Sequence, residues 1–483
     1  MTLRLHPLLT ACASSLVLAA CAVGPKAPDA TLPPSASGAF VGSSTWAVSN
    51  ADLPDQWWRL YADPTLDGLV LQALSENNQL EAAAANLRAV RATLNETRGG
   101  RLPTLNATGS ATYSRPSAST LPPAAPGAPA ATPEEIETYD LGADLSYEID
   151  LFGRVESAIR AARADADAAQ AAVDIVRIAV AAETARAYAD ACSANAQIAV
   201  AGRTIQLQSS STDITQRLLD AGEGNGLDVA RARAALESTR ATLPPLRAQR
   251  DGALFRLATL TGRTPVEAGD ATNGCARAPQ LSQPIPAGDG AALLARRPDI
   301  RQAERQLAAA AARVNVAVAN LYPRISLGAG VGSTALSAGD MFDEDNVRFS
   351  LGPLISWSFT TPGVSQARVN RATALTDAAL ATFDQTVLEA LQETETALAN
   401  YANELDRRAS LQAARDQAAT AARLSRLRFD AGSDSFLTVL DAERTLAQAD
   451  AQLASSDALV STYQVALFLA LGGGWQGAPD PEA

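Results

Sequence analysis

Tyr139-Asp140-Leu141-Gly142-Ala143-Asp144-Leu145-Ser146-Tyr147-Glu148-Ile149 alternates apolar with polar or small residues without a lapse. Period two marks a strand with two different faces. Aromatic residues sit near both ends of the apolar face and carboxylates on the other, which fits a strand crossing a bilayer with its polar side on a wet lumen. From about Arg154 to Asp220 comes an Ala-rich run with no proline and one glycine, Gly202. At 1.5 Å per residue that run makes a helix of roughly 100 Å. A bilayer strand feeding so long a helix is uncommon, and the rest of the chain is read outward from it.

Of 483 residues, 47% are hydrophobic but only 5% aromatic, because much of the apolar count is alanine. Alanine favours helix and permits close helix packing, so composition points to long helices rather than a bulky core. The net charge of −13 and a single lysine, Lys26, exclude a nucleic-acid binder, which needs a basic face. The only histidine is His6, so a histidine general base, a Ser-His-Asp triad and a histidine metal site are all excluded once the leader is removed. No enzyme activity, catalytic residue, metal or cofactor is expected. Gly222, Gly224 and Gly226 follow no strand and precede no Lys-Ser/Thr, so they read as a turn between helices rather than a phosphate loop.

The first twenty residues read as an export signal, with Arg4 and His6 ahead of the short apolar segment Leu8–Ala20. Leu18-Ala19-Ala20-Cys21 looks like a bacterial lipobox, which implies a covalent lipid on Cys21. No later stretch approaches eighteen consecutive apolar residues, so any entry into a bilayer must be as part of a closed β-barrel. Cys192 and Cys275 then remain as the two other cysteines of the mature chain. Helix lengths place them at similar heights, so a disulfide and two free thiols are both open, and thiol counting separates them.

Residues 21–62 form a Pro/Ser/Ala-rich tether and a first packed segment marked by Trp57, Trp58 and Tyr61. Residues 63–262 form a first repeat, with helices around strands at about 104–114 and 138–150 and a Pro/Ala loop at about 116–133 between them. An irregular equatorial linker, 263–297, leads to a second repeat, 298–472, with strands at about 324–333 and 347–359; a tail, 473–483, follows. Gly153 and Gly363, Gly222 and Gly432, Val229 and Val439, and Gly262 and Gly472 are all separated by 210 residues. One spacing held from a strand end along a helix and back predicts an internal duplication. Val387, Leu391, Thr394, Leu398, Tyr401 and Leu405 form a heptad seam on the second long helix. After the turn at Asp220–Gly226, one return helix is expected from Leu227 to Leu260.

Four strands cannot close a barrel in lipid, and eight leave an interior just filled by side chains. Twelve strands from three chains leave an aqueous bore. The expected fold is an α+β membrane protein, a homotrimeric 12-stranded β-barrel continued by a long periplasmic α-helical barrel.

The chain resembles the outer-membrane factor family, the TolC/OprM-type (NodT-like) channels, and within it the lipoprotein branch serving resistance-nodulation-division (RND) efflux pumps. The residues that carry the resemblance are the lipobox at Cys21, Arg297-Pro298-Asp299-Ile300-Arg301-Gln302-Ala303-Glu304, Leu321-Tyr322-Pro323, and the turns Asp220–Asp228 and Phe429–Arg444. It implies a lipid-anchored channel in the bacterial outer membrane that extends into the periplasm. It also implies docking to a periplasmic adaptor (membrane fusion protein) and an inner-membrane RND pump, with export of drugs or other toxic small molecules. Type I protein secretion and heavy-metal efflux use the same architecture, and a structural coiled-coil lipoprotein would explain the helices but not the strands. By resemblance, Leu437 supplies a hydrophobic constriction of a periplasmic gate, Asp441 a carboxylate ring and Arg444 an ion-pair lock. Asp228 and Arg231 hold the equivalent positions of the first repeat. Taken as residues alone, these are exposed charges at helix starts.

Overall fold

The computed structural model describes residues 24–26, 28, 34–44, 47–117, 133–268, 275–281, 283–358 and 363–474. Cys21, Phe359, most of the Pro/Ala loop and most of the tail lie outside the described residues. In chain order the strands are β1 (Val48–Ser49), β2 (Thr104–Ser114), β3 (Ile136–Ile149), β4 (Ile285–Pro286), β5 (Arg324–Ala335) and β6 (Val347–Ser356). The α-helices are α1 (Pro64–Glu76), α2 (Asn78–Gly99), α3 (Arg154–Asp220), α4 (Gly226–Arg240), α5 (Leu243–Leu260), α6 (Gly290–Arg296), α7 (Pro298–Ala319), α8 (Val364–Asp430) and α9 (Phe436–Ala470). The chain divides into two compact units, one of residues 1–29, 89–167 and 305–381 and the other of 30–88, 168–304 and 382–483.

The first unit carries an antiparallel sheet in the order β2-β3-β5-β6. β3 starts at Ile136, β5 runs on to Ala335, and β6 stops at Ser356, so the expected strands are recovered with shifted ends. Trp357 lies just past β6, its indole Nε1 donating to the Leu321 carbonyl at 3.3 Å.

The second unit is built on Trp57, fully buried and stacked on Phe468 at 4.5 Å, with Trp58 edge-on at 5.9 Å. Ala181, Ala182, Ala185 and Tyr188 of α3 and Leu398 and Tyr401 of α8 close around them. The small alanines let the helices approach, and the expected seam on α8 is the packed face: Val387, Thr394, Leu398 and Tyr401 are buried. Asp63 caps α1 by accepting from the Thr65 and Leu66 amides with one oxygen, while its other oxygen accepts from Tyr188 Oη at 2.9 Å. Burial, then the Asp63 carboxylate, push the Tyr188 phenol up to about 12. Asn77 ends α1: its Oδ1 accepts from the Gln79 and Leu80 amides and its Nδ2 donates to the Leu260 carbonyl.

Three expectations need correction. The tether is packed from residue 36 on, where Ala36, Phe40, Ala47 and Leu53 are buried and β1 pairs in parallel with β4. The linker is correspondingly not irregular throughout, since it holds β4 and α6 and is joined to α3 by a Cys192–Cys275 disulfide with Cα atoms 5.3 Å apart. The first return helix is two helices, α4 and α5, with Ala241 and Thr242 between them. Pro244 and Pro245 cause the break: proline lacks the amide that helix continuation requires and is tolerated only in a first turn. The corresponding residues of α9, Ala454 and Ser455, contain no proline, and α9 runs unbroken for 35 residues. α9 is also apolar and long enough to cross a membrane by composition, yet half of that window is buried, including Val460, Val465, Leu467 and Phe468 in the core.

Candidate functional site

In the sheet, register turns four separate alternations into one apolar face. Leu105 pairs with Leu145, Tyr147 with Leu327, and Ile325 with both Ile149 and Ile355. Val331 likewise sits between Ala143 and Phe349. Most of these side chains are solvent-exposed in the isolated chain, Phe349 at 86% and its neighbour on the same face, Leu351, at 75%, while Ile325 and Ala143 are partly covered. At the helical end of this face Phe152 stacks on Tyr322 at 4.7 Å, beside Trp357. Aromatic residues ending an apolar band are the mark of a lipid–water boundary.

The opposite face carries Asn106, Thr108, Asp140, Asp144, Ser326, Thr334, Arg348 and Ser350. Arg348 donates to both oxygens of Asp140 at 2.9 and 2.7 Å, across the intervening strand, and Thr334 on that strand donates to Asp140 at 2.7 Å. This triad was not foreseen, because it exists only once β3, β5 and β6 are in register. Leu354 is the apolar exception on this face. β2 and β6 each have one neighbouring strand among the described residues. Pro353, which has no amide to donate, lies on β6, where an edge strand tolerates it.

In the second unit, the turns after α3 and α8 share the two backbone bonds that close them. Gly222 N donates to Leu219 O at 3.0 Å and Glu223 N to Leu218 O at 2.9 Å; Gly432 N donates to Phe429 O at 2.8 Å and Ser433 N to Arg428 O at 2.9 Å. Both glycines are left-handed, φ 78° and 72°, which a side chain would strain. Asp441 accepts from Arg444 at 2.7 Å, and Asp228 lies 3.9 Å from Arg231, each pair within one helix. Asp441 and Arg444 are both 65% exposed, so within one chain they form an open surface pair rather than a bond between helices. Leu437 and its counterpart Leu227 are exposed as well.

The two turns differ in what holds them. Phe429 packs edge-on against Phe436 at 5.1 Å and Arg428 pairs with Asp434 at 3.0 Å, whereas Asn225 caps α4 by accepting from the Asp228 amide. Glu443 on α9 accepts from Ser211 on α3 at 2.7 Å. The motif residues Arg297 and Asp299 have a structural role: Arg297 donates to Asp299, to Glu393 on α8 and to the Ala470 carbonyl that ends α9. Among the described residues no group of His, Cys, Asp and Glu is arranged to hold a metal.

The family model for outer membrane efflux proteins matches residues 69–263 and 291–473, most of both repeats. The chain belongs to this family. Outer membrane efflux proteins similar to it include the pyoverdine export outer membrane protein OpmQ of Pseudomonas aeruginosa, 31% identical over 99% of this chain and 98% of that protein. The antibiotic efflux pump outer membrane protein ArpC of Pseudomonas putida is 31% identical over 97% of this chain and 96% of its own. Among solved structures, the outer-membrane channel OprN superposes with a TM-score of 0.86 at 36% identity, covering 94% of this chain and all of that one. The chain is an efflux protein of the outer membrane, with the fold of these channels.

Proposed function

We propose that three copies of the chain close a 12-stranded barrel, continued by a helical barrel, and form the passive outer-membrane conduit of a tripartite efflux pump. The observation that carries this is the sheet, apolar on one face, polar on the other, with both edges unpaired among the described residues. Unpaired edges are forbidden in hydrocarbon, so lipid demands closure with further copies. The pair of 67-residue helices, with matching turns 210 residues apart, supports an internal duplication. A periplasmic adaptor and an inner-membrane RND pump are the partners this role requires. Small molecules are the cargo in keeping with relatives named for pyoverdine and antibiotics.

A lipid on Cys21 anchors each copy, and no other cofactor is proposed. Leu437, Asp441 and Arg444, with Asp228 and Arg231, form the periplasmic gate: the turns cluster about the trimer axis and the exposed acid–base pairs face one another between copies. Few residues suffice for such a ring. The test is mass measurement of the detergent-extracted protein combined with planar-bilayer recording. A trimer with discrete conductance is expected; a water-soluble monomer without channel activity overturns the proposal.

A further inference from the structure

We propose that a basic cleft in the first unit is a binding site for the phosphate of a membrane phospholipid whose headgroup carries a hydrogen-bond donor. The cleft, of about 520 Å³, lies between α3 and α7 and is lined by Lys26, Arg160, Arg163 and Arg305 against one carboxylate, Asp167. Four cations gathered on a chain of net charge −13 are a marked local reversal. Lys26, the sole lysine of the chain, is among them.

The position of the cleft along α3 suits a headgroup. Arg160 and Arg163 lie six and nine residues after Arg154, the first residue of α3, so about 9 and 14 Å along the helix from the end where β3 enters. The polar layer of a bilayer adds about 5–8 Å beyond each side of the hydrocarbon. Arginine side chains reach several ångströms further towards an interface. Arg160 Nη2 donates to Ser157 Oγ at 2.9 Å, which tilts it towards the start of the helix.

The cleft opens to the lipid side if the acylation of Cys21 holds, and the inference rests on that reading. Lys26 is the fifth residue after Cys21, so it stays within about 18 Å of an anchor sunk in the leaflet. The segment that brings Lys26 in is seated closely: a Cβ on Gly24 would come 2.0 Å from Asn315 Oδ1, and Gly24 has φ +149°. Asn315 Oδ1 is itself buried in the cleft wall with no donor among the described residues. It is an acceptor beside a phosphate site, closed over by Gly24, and once that segment shifts it suits the ammonium of ethanolamine or the hydroxyls of glycerol but not choline.

Native mass spectrometry of the full-length, detergent-extracted protein tests this with phosphatidylglycerol, phosphatidylethanolamine, phosphatidylcholine and inorganic phosphate as separate probes. The wild type is expected to retain the first two, and the K26Q/R160Q/R163Q variant to lose at least about tenfold in apparent affinity, given roughly a factor of five per basic residue near an anionic surface. R160K/R163K, which keeps the charge, should retain lipid and serves as the folding control. Equal retention by the wild type and the glutamine variant overturns the proposal, as does displacement of the lipid by equimolar inorganic phosphate, which would make the cleft a free-anion site. The mass of the mature chain reports acylation separately, so an unacylated Cys21 overturns that reading while lipid retention still tests the cleft.

Discussion

Arg348 on β6 and Asp140 on β3 are bound through two charge-assisted hydrogen bonds although β5 lies between them. The pair neutralises charge on the polar face of the sheet, with Thr334 completing it. Replacing Arg348 with glutamine leaves the carboxylate unmatched where the bore is proposed to run. The R348Q channel should become more cation-preferring, and D140N less so, as read from reversal potentials in asymmetric salt. Identical reversal potentials for both variants would remove the pair from the conduction path.

Asp441 and Arg444 hold each other at 2.7 Å on an exposed helix start. If the ring they form in the trimer keeps the periplasmic end shut, D441A should raise single-channel conductance of the isolated protein. Since Leu437 is exposed beside them, L437A should do the same, and an unchanged closed state in either variant would take that residue out of the gate.

The Cys192–Cys275 bond closes a loop of 83 residues. The denatured, unreduced protein should show neither of these thiols on titration. Replacing both with alanine should cost about 2–4 kcal/mol, mainly through the greater freedom of the unfolded chain. A raised rate of proteolysis within 263–297 would locate the loss.

Trp57 is fully buried against Phe468 and Trp58. W57A should cost about 3–5 kcal/mol, the range for deleting a large aromatic from a packed core. The W57F variant should recover a large part of that loss, measured as the shift in thermal unfolding of the second unit.

Asp67 accepts from Arg59 at 3.0 Å and from the Trp58 indole at 2.9 Å, and these partners, Arg59 first, hold its carboxyl below the ordinary value of 3.8. A depressed carboxyl contributes stability that is complete above the unfolded value and is lost as pH falls through the folded one. D67N should therefore be less stable than the wild type at pH 7, with the difference closing below about pH 4. Melting curves taken from pH 7 to pH 3 would show a constant gap if Asp67 were not coupled to these groups.

The elements that follow a local rule were legible in the sequence. Tyr139–Ile149 reads as a strand because alternation is a property of neighbours, and α3 and α8 read as helices because nothing in 67 residues interrupts them. The turns were legible twice over, through glycine and through the 210-residue spacing. The parallel pairing of Val48–Ser49 with Ile285–Pro286 was not, since two residues carry no period and the partners are far apart in the chain. Register-dependent contacts such as Arg348 with Asp140 were hidden for the same reason. The break at Ala241-Thr242 had a visible signal in Pro244 and Pro245 that helical composition on both sides masked. The proposed gate residues Leu437, Asp441 and Arg444 rest on likeness to other channels alone, because a gate of the proposed kind is made by symmetry and one copy would hold only a fraction of it.

The open flanks of β2 and β6 also bear on how mutations are inherited. A copy whose β2 border is spoiled, for instance by proline at Ala107, could still offer a sound β6 border to a healthy neighbour and so be drawn into a ring it cannot complete. With equal expression, only about one in eight of the proposed three-copy rings would then be free of the defective copy. A lesion on either border should therefore behave as a dominant one, while a lesion that stops the chain from folding at all should remain recessive.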